Sequence, residues 1–554
     1  METSVKGHIV DVIGERIFDG TVYIKDGIIS RITHSESLQA GKLPYIMPGF
    51  IDSHMHIEST LLLPENFAKL AVTHGTVAVV TDPHEITNVL GREGIEFMLA
   101  NARKVKFHFN FGVPSCVPST CFETAGAAIT SEDVKELIGR DDFYGLAEMM
   151  NYPGVLFKDP EVMAKIKYTL EAGKVVDGHA PDLVGDKARQ YIDAGISTDH
   201  EVYSYEYAQE RVEMGMKIQI REGSAARNFE TLKNLLNHNE FKGRMMICTD
   251  DIYPDELQQG HINLIAARAA AYGTPVWNIL HAACVVPVKH YRMNVGLLQT
   301  GDSADFIVVK DLKQFEVLQT WIGGEPVFDN GRLDIYREGQ TPASPDSDLP
   351  NKFCASHISA EDMKVEAAGD MMKVILATEG SLYTEVVEAQ PKVENGLVVS
   401  DIDRDILKLV VYNRYTPAKP AVAFISGFRL KRGAIASTIA HDSHNIIALG
   451  ANDDDIVKAV NTLVDSHGGL CIVDGEKMKT LALPVAGLMS PLEGPEVGNA
   501  HKELKAMAAA QGCSFAAPFM TLAFMALPVI PELKLTDLGL FDGMRFNFTK
   551  LFNN

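Results

Sequence analysis

His54 and His56 stand one residue apart at the end of the apolar run Pro48-Gly49-Phe50-Ile51-Asp52-Ser53. On an extended strand, residues i and i+2 point the same way, so two imidazoles can face one point beyond the strand's end. Imidazole nitrogen binds zinc, iron and other first-row metals. A bare His-x-His is also compatible with a surface strand carrying two unrelated histidines. Later apolar runs decide between these readings, because they end in the same residue types. The second ends Thr81-Asp82-Pro83-His84-Glu85, the fourth is Gly145-Leu146-Ala147-Glu148, and the fifth ends Asp177-Gly178-His179. The sixth ends Thr198-Asp199-His200-Glu201, the seventh Arg221-Glu222-Gly223-Ser224, and the eighth Cys248-Thr249-Asp250-Asp251. His54, His56, His179 and His200 can supply neutral nitrogen ligands. Glu85, Glu148 and Asp250 can supply charge and bridging oxygens. That set suffices for two adjacent divalent ions, which can hold a bridging hydroxide at neutral pH and polarise a substrate. One carboxylate must stay free to move protons. Asp250 suits both contact with a metal and receipt of the hydroxide's proton.

These side chains need a scaffold that brings many strand ends to one place. The apolar runs cover 49–54, 76–82, 107–113, 143–148, 175–179, 196–200, 217–221 and 244–250, and helical stretches separate them. Examples are Pro64–Val72, Gly91–Val105, Pro160–Ala172 and Tyr203–Met214. Ser131, followed by Glu132 and Asp133, marks a helix start. Eight strands at this spacing predict an α/β fold, a (β/α)8 barrel of the TIM type, whose active site lies at the C-terminal strand ends. Residues 1–46 are β-rich, with a hairpin signal at Asp26-Gly27. Residues 295–335 are β-rich again. The two flanks are expected to close into one small β-sandwich domain beside a barrel over 47–294. A linker is expected over 336–364, centred on EGQTPASPDSDLPNK, and an α+β C-terminal domain over 365–554. The apolar stretch Phe515–Met525 is short and broken by Pro518, so it reads as core or as an inter-domain face.

The chain has 554 residues, 46% of them apolar and 22% charged, enough for two or three domains with sizeable cores. Its formal net charge of −22 argues against nucleic acid or an anionic membrane as a partner. No run of about 20 apolar residues predicts a membrane span, and the N-terminus lacks a basic-then-apolar leader. Seven scattered cysteines fit a reducing cytoplasm better than a disulfide frame. The acidic surface and the apolar C-terminal stretch point to a homo-oligomer.

With these residues in view, the chain resembles the amidohydrolase superfamily, and within it the bacterial adenine deaminases. The His-x-His after PGFID is common to the superfamily. GLAEMMNYPGV (145–155), IREGSAARN (220–228) and IAHDSHNI (439–446) are specific to the adenine deaminases. The likeness spans essentially the whole chain. It implies hydrolysis of adenine to hypoxanthine and ammonia at a two-metal centre, with manganese or ferrous iron favoured and zinc also accommodated. His54 and His56 would hold one metal, and His179 and His200 the other. Glu148 would protonate a ring nitrogen. Asp250 would deprotonate the hydroxide attacking C6 and pass a proton to the leaving amine. Glu85 is the candidate bridging carboxylate, although superfamily members that bridge from the fourth strand would place Glu148 there and exchange the two roles. Arg221 and Ser224 are candidates for purine contact, with an ion-pair role as the alternative for Arg221. His84 and Glu201 are expected to orient ligands. His441-Asp442-Ser443-His444 reads either as a further ligand cluster or lid, or as a capped turn at a domain interface. The zinc signature of the other nucleobase deaminase fold, HxE with PCxxC, is absent. Another amidohydrolase chemistry on a cyclic amide, or a non-catalytic assembly protein on the same barrel, are the alternative functions.

Overall fold

The computed structural model describes residues 2–34, 43–181, 183–344 and 349–552. Strands β1 (Glu2–Asp11), β2 (Arg16–Lys25), β3 (Ile28–His34) and β4 (Tyr45–Pro48) open the chain. Eight further strands form the barrel: β5 (Phe50–Met55), β6 (Thr76–Thr81), β7 (His108–Val113), β8 (Phe143–Met149), β9 (Val175–Gly178), β10 (Thr198–Asp199), β11 (Lys217–Arg221) and β12 (Met245–Cys248). All eight lie where the apolar runs predict them. They are buried almost throughout, as parallel strands covered on both faces must be. The ladder runs β5 to β9 and β10 to β12 as two parallel sheets. Single bridges join them, Val176 to Ile196 on one side and Met55 to Asp250 on the other.

The helices follow from local signals. Thr130 accepts from the Asp133 amide while the Asp133 carboxylate accepts from the Thr130 amide, a reciprocal cap that starts the helix at Ser131. After β11 the chain forms only a short helix, Phe229–Leu232, followed by a tighter turn, Lys233–Asn237.

The chain then returns to the first sheet through β13 (Phe306–Val309), β14 (Val317–Ile322), β15 (Glu325–Asp329) and β16 (Arg332–Leu333). The strand order is β16-β15-β14-β13-β4-β1-β2-β3, so the two flanks do form one sheet. It curls over until its turns meet: Ala304 N–H donates to Gly27 C=O at 2.9 Å, and Gly324 N–H to Ala304 C=O at 3.1 Å. Ile9, Val22, Ile24, Phe306 and Trp321 fill the space between.

Of the expected linker, residues 345–348 lie outside the described residues, and the rest holds little beyond a turn at Ala360–Met363. Ten strands lie between residues 372 and 482: β17 (Met372–Ala377), β18 (Thr384–Ala389), β19 (Lys392–Glu394), β20 (Leu397–Val399), β21 (Leu407–Tyr412), β22 (Ala421–Ser426), β23 (Ala434–Ser437), β24 (Ile446–Gly450), β25 (Gly469–Asp474) and β26 (Lys477–Ala482). Eight of them make one sheet of order β18-β17-β22-β21-β24-β23-β25-β26. The Asp453–Asp465 helix buries Ile456, Ala459, Val460, Leu463 and Val464 on one face of this sheet, the i, i+3, i+4, i+7, i+8 stripe of an amphipathic helix. The other face joins the barrel in one continuous core that includes Phe50, Val79, Ile247, Leu409, Ile425 and Phe519. Full burial of each such side chain contributes about 1.5–3 kcal/mol. The barrel and the C-terminal domain are therefore cemented together over the strand ends.

Candidate metal centre

Backbone contacts between the ends of β5 and β12 set the site. Asp250 N–H donates to His54 C=O at 3.0 Å, and His56 N–H donates to Asp250 C=O at 3.1 Å. This seam closes the barrel where the ligand side chains emerge. Asp250 has φ of 58°, in the left-handed region that Asp adopts more readily than most non-glycine residues. Asp52 braces the seam from below, accepting from the Thr249 side chain and lying 2.9 Å from His261 Nε2.

Four histidines surround one carboxylate. Glu148 Oε1 lies 3.2 Å from His56 Nε2 and 3.9 Å from His54 Nε2. Glu148 Oε2 lies 2.9 Å from His179 Nδ1 and 3.3 Å from His200 Nε2. Asp250 Oδ1 is 3.3 Å from His54 Nε2 and 3.1 Å from His56 Nε2. His56 Nδ1 sits 3.1 Å from the Asp82 carbonyl, which aims Nε2 inward. The His54 and His200 rings stack at 4.1 Å. All of these side chains are buried. Burial alone would push the Glu148 carboxyl up, but hydrogen bonds to His179, His200 and His56 hold it well below the ordinary carboxylate range. His200 shows the reverse: burial would lower it, and Glu148 and Asp250 raise it to about 9.

The donor set fits cations. The ligand atoms of His54, His56 and Asp250 lie within 4.8 Å of one another, as do those of His54, Glu148 and His200, and those of His179, His200 and Glu201. His54 Nε2 is buried without a hydrogen-bond partner although it faces two carboxylates. Nitrogen and oxygen donors of this kind suit two divalent ions of the first transition row.

Of Glu85 and Glu148, the two candidates for the bridging place, it is Glu148 that stands among the four histidines. Glu85 lies toward the C-terminal domain. Its Oε1 is 2.9 Å from His441 Nδ1, and its Oε2 contacts His444 Nε2. Burial opposes ionisation of Glu85, yet His441, His444 and His84 hold it well below the usual range. His84 Nδ1 lies 3.0 Å from Asp82 Oδ2. Arg221 touches Glu201 and Asp250 through one nitrogen and the Tyr203 hydroxyl through another, so its guanidinium is engaged by protein groups. Ser224 does not border the central cavity; its hydroxyl accepts the Tyr253 N–H at 2.9 Å.

The C-terminal domain roofs the site. His441, Asp442, Phe524, Leu527 and Ile530 line the same cavity as the histidines, together with Met150 and Asp251. The His441 ring stacks on Phe524 at 4.2 Å. The apolar stretch around Phe519 to Met525 is thus core and an inter-domain face at once. Of these roof residues, His441 and Asp442 fall in the 441–444 segment, and Phe524 in the apolar stretch, that the sequence singled out. Phe524, Leu527 and Ile530 carry no local mark of function.

Residues 45–327 match the amidohydrolase family, and residues 381–547 match the adenine deaminase C-terminal domain. The chain is 49% identical over 557 residues to an adenine deaminase of Methanosarcina acetivorans, covering 99% of each chain. It is 47% identical to one of Salinibacter ruber, covering 99% of each chain, and 42% identical to one of Borreliella burgdorferi, covering 98% of each. With the barrel, the clustered ligands and the roofing domain all accounted for, the chain belongs to the adenine deaminase family of amidohydrolases.

Proposed function

We propose that this protein hydrolyses adenine to hypoxanthine and ammonia at a centre of two divalent cations. The observation that carries the reading is one buried carboxylate, Glu148, facing all four histidines at once, in a chain nearly half identical to an adenine deaminase along its whole length. His54, His56 and Asp250 would hold one cation and His179 and His200 the other, with Glu148 placed to serve both. Bound cations supply Lewis acidity and a nucleophile available at neutral pH. Asp250 receives the proton of the attacking water and returns it to the amine leaving C6. Arg221 holds Asp250 in place through its second carboxylate oxygen. With Glu148 shared by the cations, contact with the purine ring nitrogens falls to the wall built by Glu85, His84 and His441. The roof residues Phe524 and Leu527 keep bulk water from the reacting carbon.

Manganese or ferrous iron are the working metals in this reading, with zinc also fitting the donors. The complete ligand set supports catalysis over a purely structural role for the barrel. The test is ammonia release from adenine by protein reconstituted anaerobically with manganese or iron, with adenosine and cytosine alongside. No release from adenine with either metal refutes the reading. Seven free thiols support a reducing, cytoplasmic setting, and no helix among the described residues is long and apolar enough to cross a membrane. The apolar C-terminal stretch foreseen as an oligomer face is buried within the chain. Self-association, checked by sedimentation, would use instead the exposed Leu538, Met544, Phe546 and Phe548.

A further inference from the structure

The cavity at the metal ligands is about 20 Å³. A space of that size holds about one water molecule. A bicyclic base therefore reaches the ligands only if roof side chains move aside. A second cavity of about 190 Å³, which reaches the surface at the exposed Cys121 and Phe546, adjoins it, and Met150 lines both. Ile530, on the inner wall, is flanked in sequence by Val529 and Pro531 on the outer wall. The partition between the two spaces is thus Met150, from the end of the fourth barrel strand, and Ile530, from the C-terminal domain. An apolar cavity of about 150 Å³ accommodates benzene, so the outer space is large enough for a flat heteroaromatic ring. Tyr152 and Phe546 bring aromatic surface to it, and Ser119 and Asn151 bring polar groups. It is built from the loops after β7 and β8, at the active end of the barrel, and from Val529, Pro531, Gly543 and Phe546 of the C-terminal domain, beside the catalytic cavity.

We propose that this outer cavity is an antechamber that binds the purine base before it passes between Met150 and Ile530 to the metal centre. The proposal rests on adenine being the substrate. It assigns the selection of a flat, uncharged heterocycle to the loop and C-terminal residues in addition to the metal ligands. Nucleosides, which carry a bulky sugar, would be held at the partition.

Cys121 lines the antechamber and is exposed, so a thiol reagent can fill the space. Metal-reconstituted enzyme is treated with benzyl methanethiosulfonate or its methyl analogue, and modification and metal content are followed by mass spectrometry. The benzyl adduct at Cys121 is expected to lower kcat/KM for adenine at least tenfold with metal retained. The methyl adduct should lower it less than threefold, and a phosphine reductant should restore it. In Cys121→Ser protein, which keeps the exposed Cys354, treated and untreated rates should agree within twofold. Independently of turnover, saturating adenine should slow benzyl labelling of Cys121 at least threefold. Ammonia release by untreated protein reports on the function; the treated-to-untreated ratio and the labelling rate report on the antechamber. A full benzyl adduct with kcat/KM within twofold of the untreated value overturns the proposal, as does equal loss in Cys121→Ser protein. Where untreated protein has no turnover, labelling unaffected by adenine overturns it.

Discussion

Replacing Glu148 by Gln separates a shared metal ligand from a remote acid. The side chain is buried, and its oxygens lie 3.2, 2.9 and 3.3 Å from nitrogens of His56, His179 and His200. Gln keeps the shape, removes the charge and turns one oxygen into an amide donor facing an imidazole. Loss of groups that merely support metal ligands already lowers affinity about 10–100-fold. A direct ligand shared by both sites should lose at least the upper figure, about 2.8 kcal/mol. If the paired cations contribute about 4 kcal/mol to the transition state, their loss lowers the rate about 10³-fold. Glu85→Gln is the comparison, because Glu85 contacts His441 and His444 rather than the central cluster. The assay counts metals per chain after anaerobic reconstitution and measures ammonia release from adenine. Glu148→Gln should hold fewer than two ions, and Glu85→Gln should hold two. A Glu148→Gln protein with two tightly held ions and a rate within tenfold of the parent would refute the shared-ligand assignment. So would a Glu85→Gln protein that alone loses metal.

Asp250→Asn should lower kcat about 10²–10⁴-fold, the usual range for removal of a proton-transfer group, measured on protein with confirmed metal content. Arg211→Met should lower the urea midpoint by an amount worth about 3–5 kcal/mol, because the buried Asp199 carboxylate loses its guanidinium partner. Burial would push the Asp255 carboxyl up, but His501 at 2.8 Å and Lys505 at 2.9 Å hold it at about 2. Its folded value lies below the unfolded 3.8, so it stabilises the fold fully above about pH 4, and that contribution fades as pH falls toward 2. His501→Ala should flatten this acid loss of melting temperature; an unchanged acid limb would exclude the contact as its source. Chelation should abolish ammonia release, and added manganese or ferrous iron should restore it.

The barrel and its ligand inventory were legible in sequence because both are local. A buried parallel strand must read as a short apolar run, and side-chain alternation lets His54 and His56 face one point whatever lies around them. The residue types at the later strand ends then named the chemistry, and IAHDSHNI drew attention to a distant segment. Which carboxylate stands among the histidines was not legible. Glu85 and Glu148 have the same chemistry and both follow barrel strands. Only the radial arrangement of the strands puts Glu148 between His56, His179 and His200 and turns Glu85 toward His441. Arg221 likewise needed its neighbours before its guanidinium could be assigned to Glu201, Asp250 and Tyr203. The sequence by itself determined the scaffold and the donor set, since both follow from short-range periodicity and residue chemistry. The tertiary structure decided how the donors are shared and what roofs them, since Phe524 and Ile530 reach the cavity only through contacts between residues hundreds of positions apart.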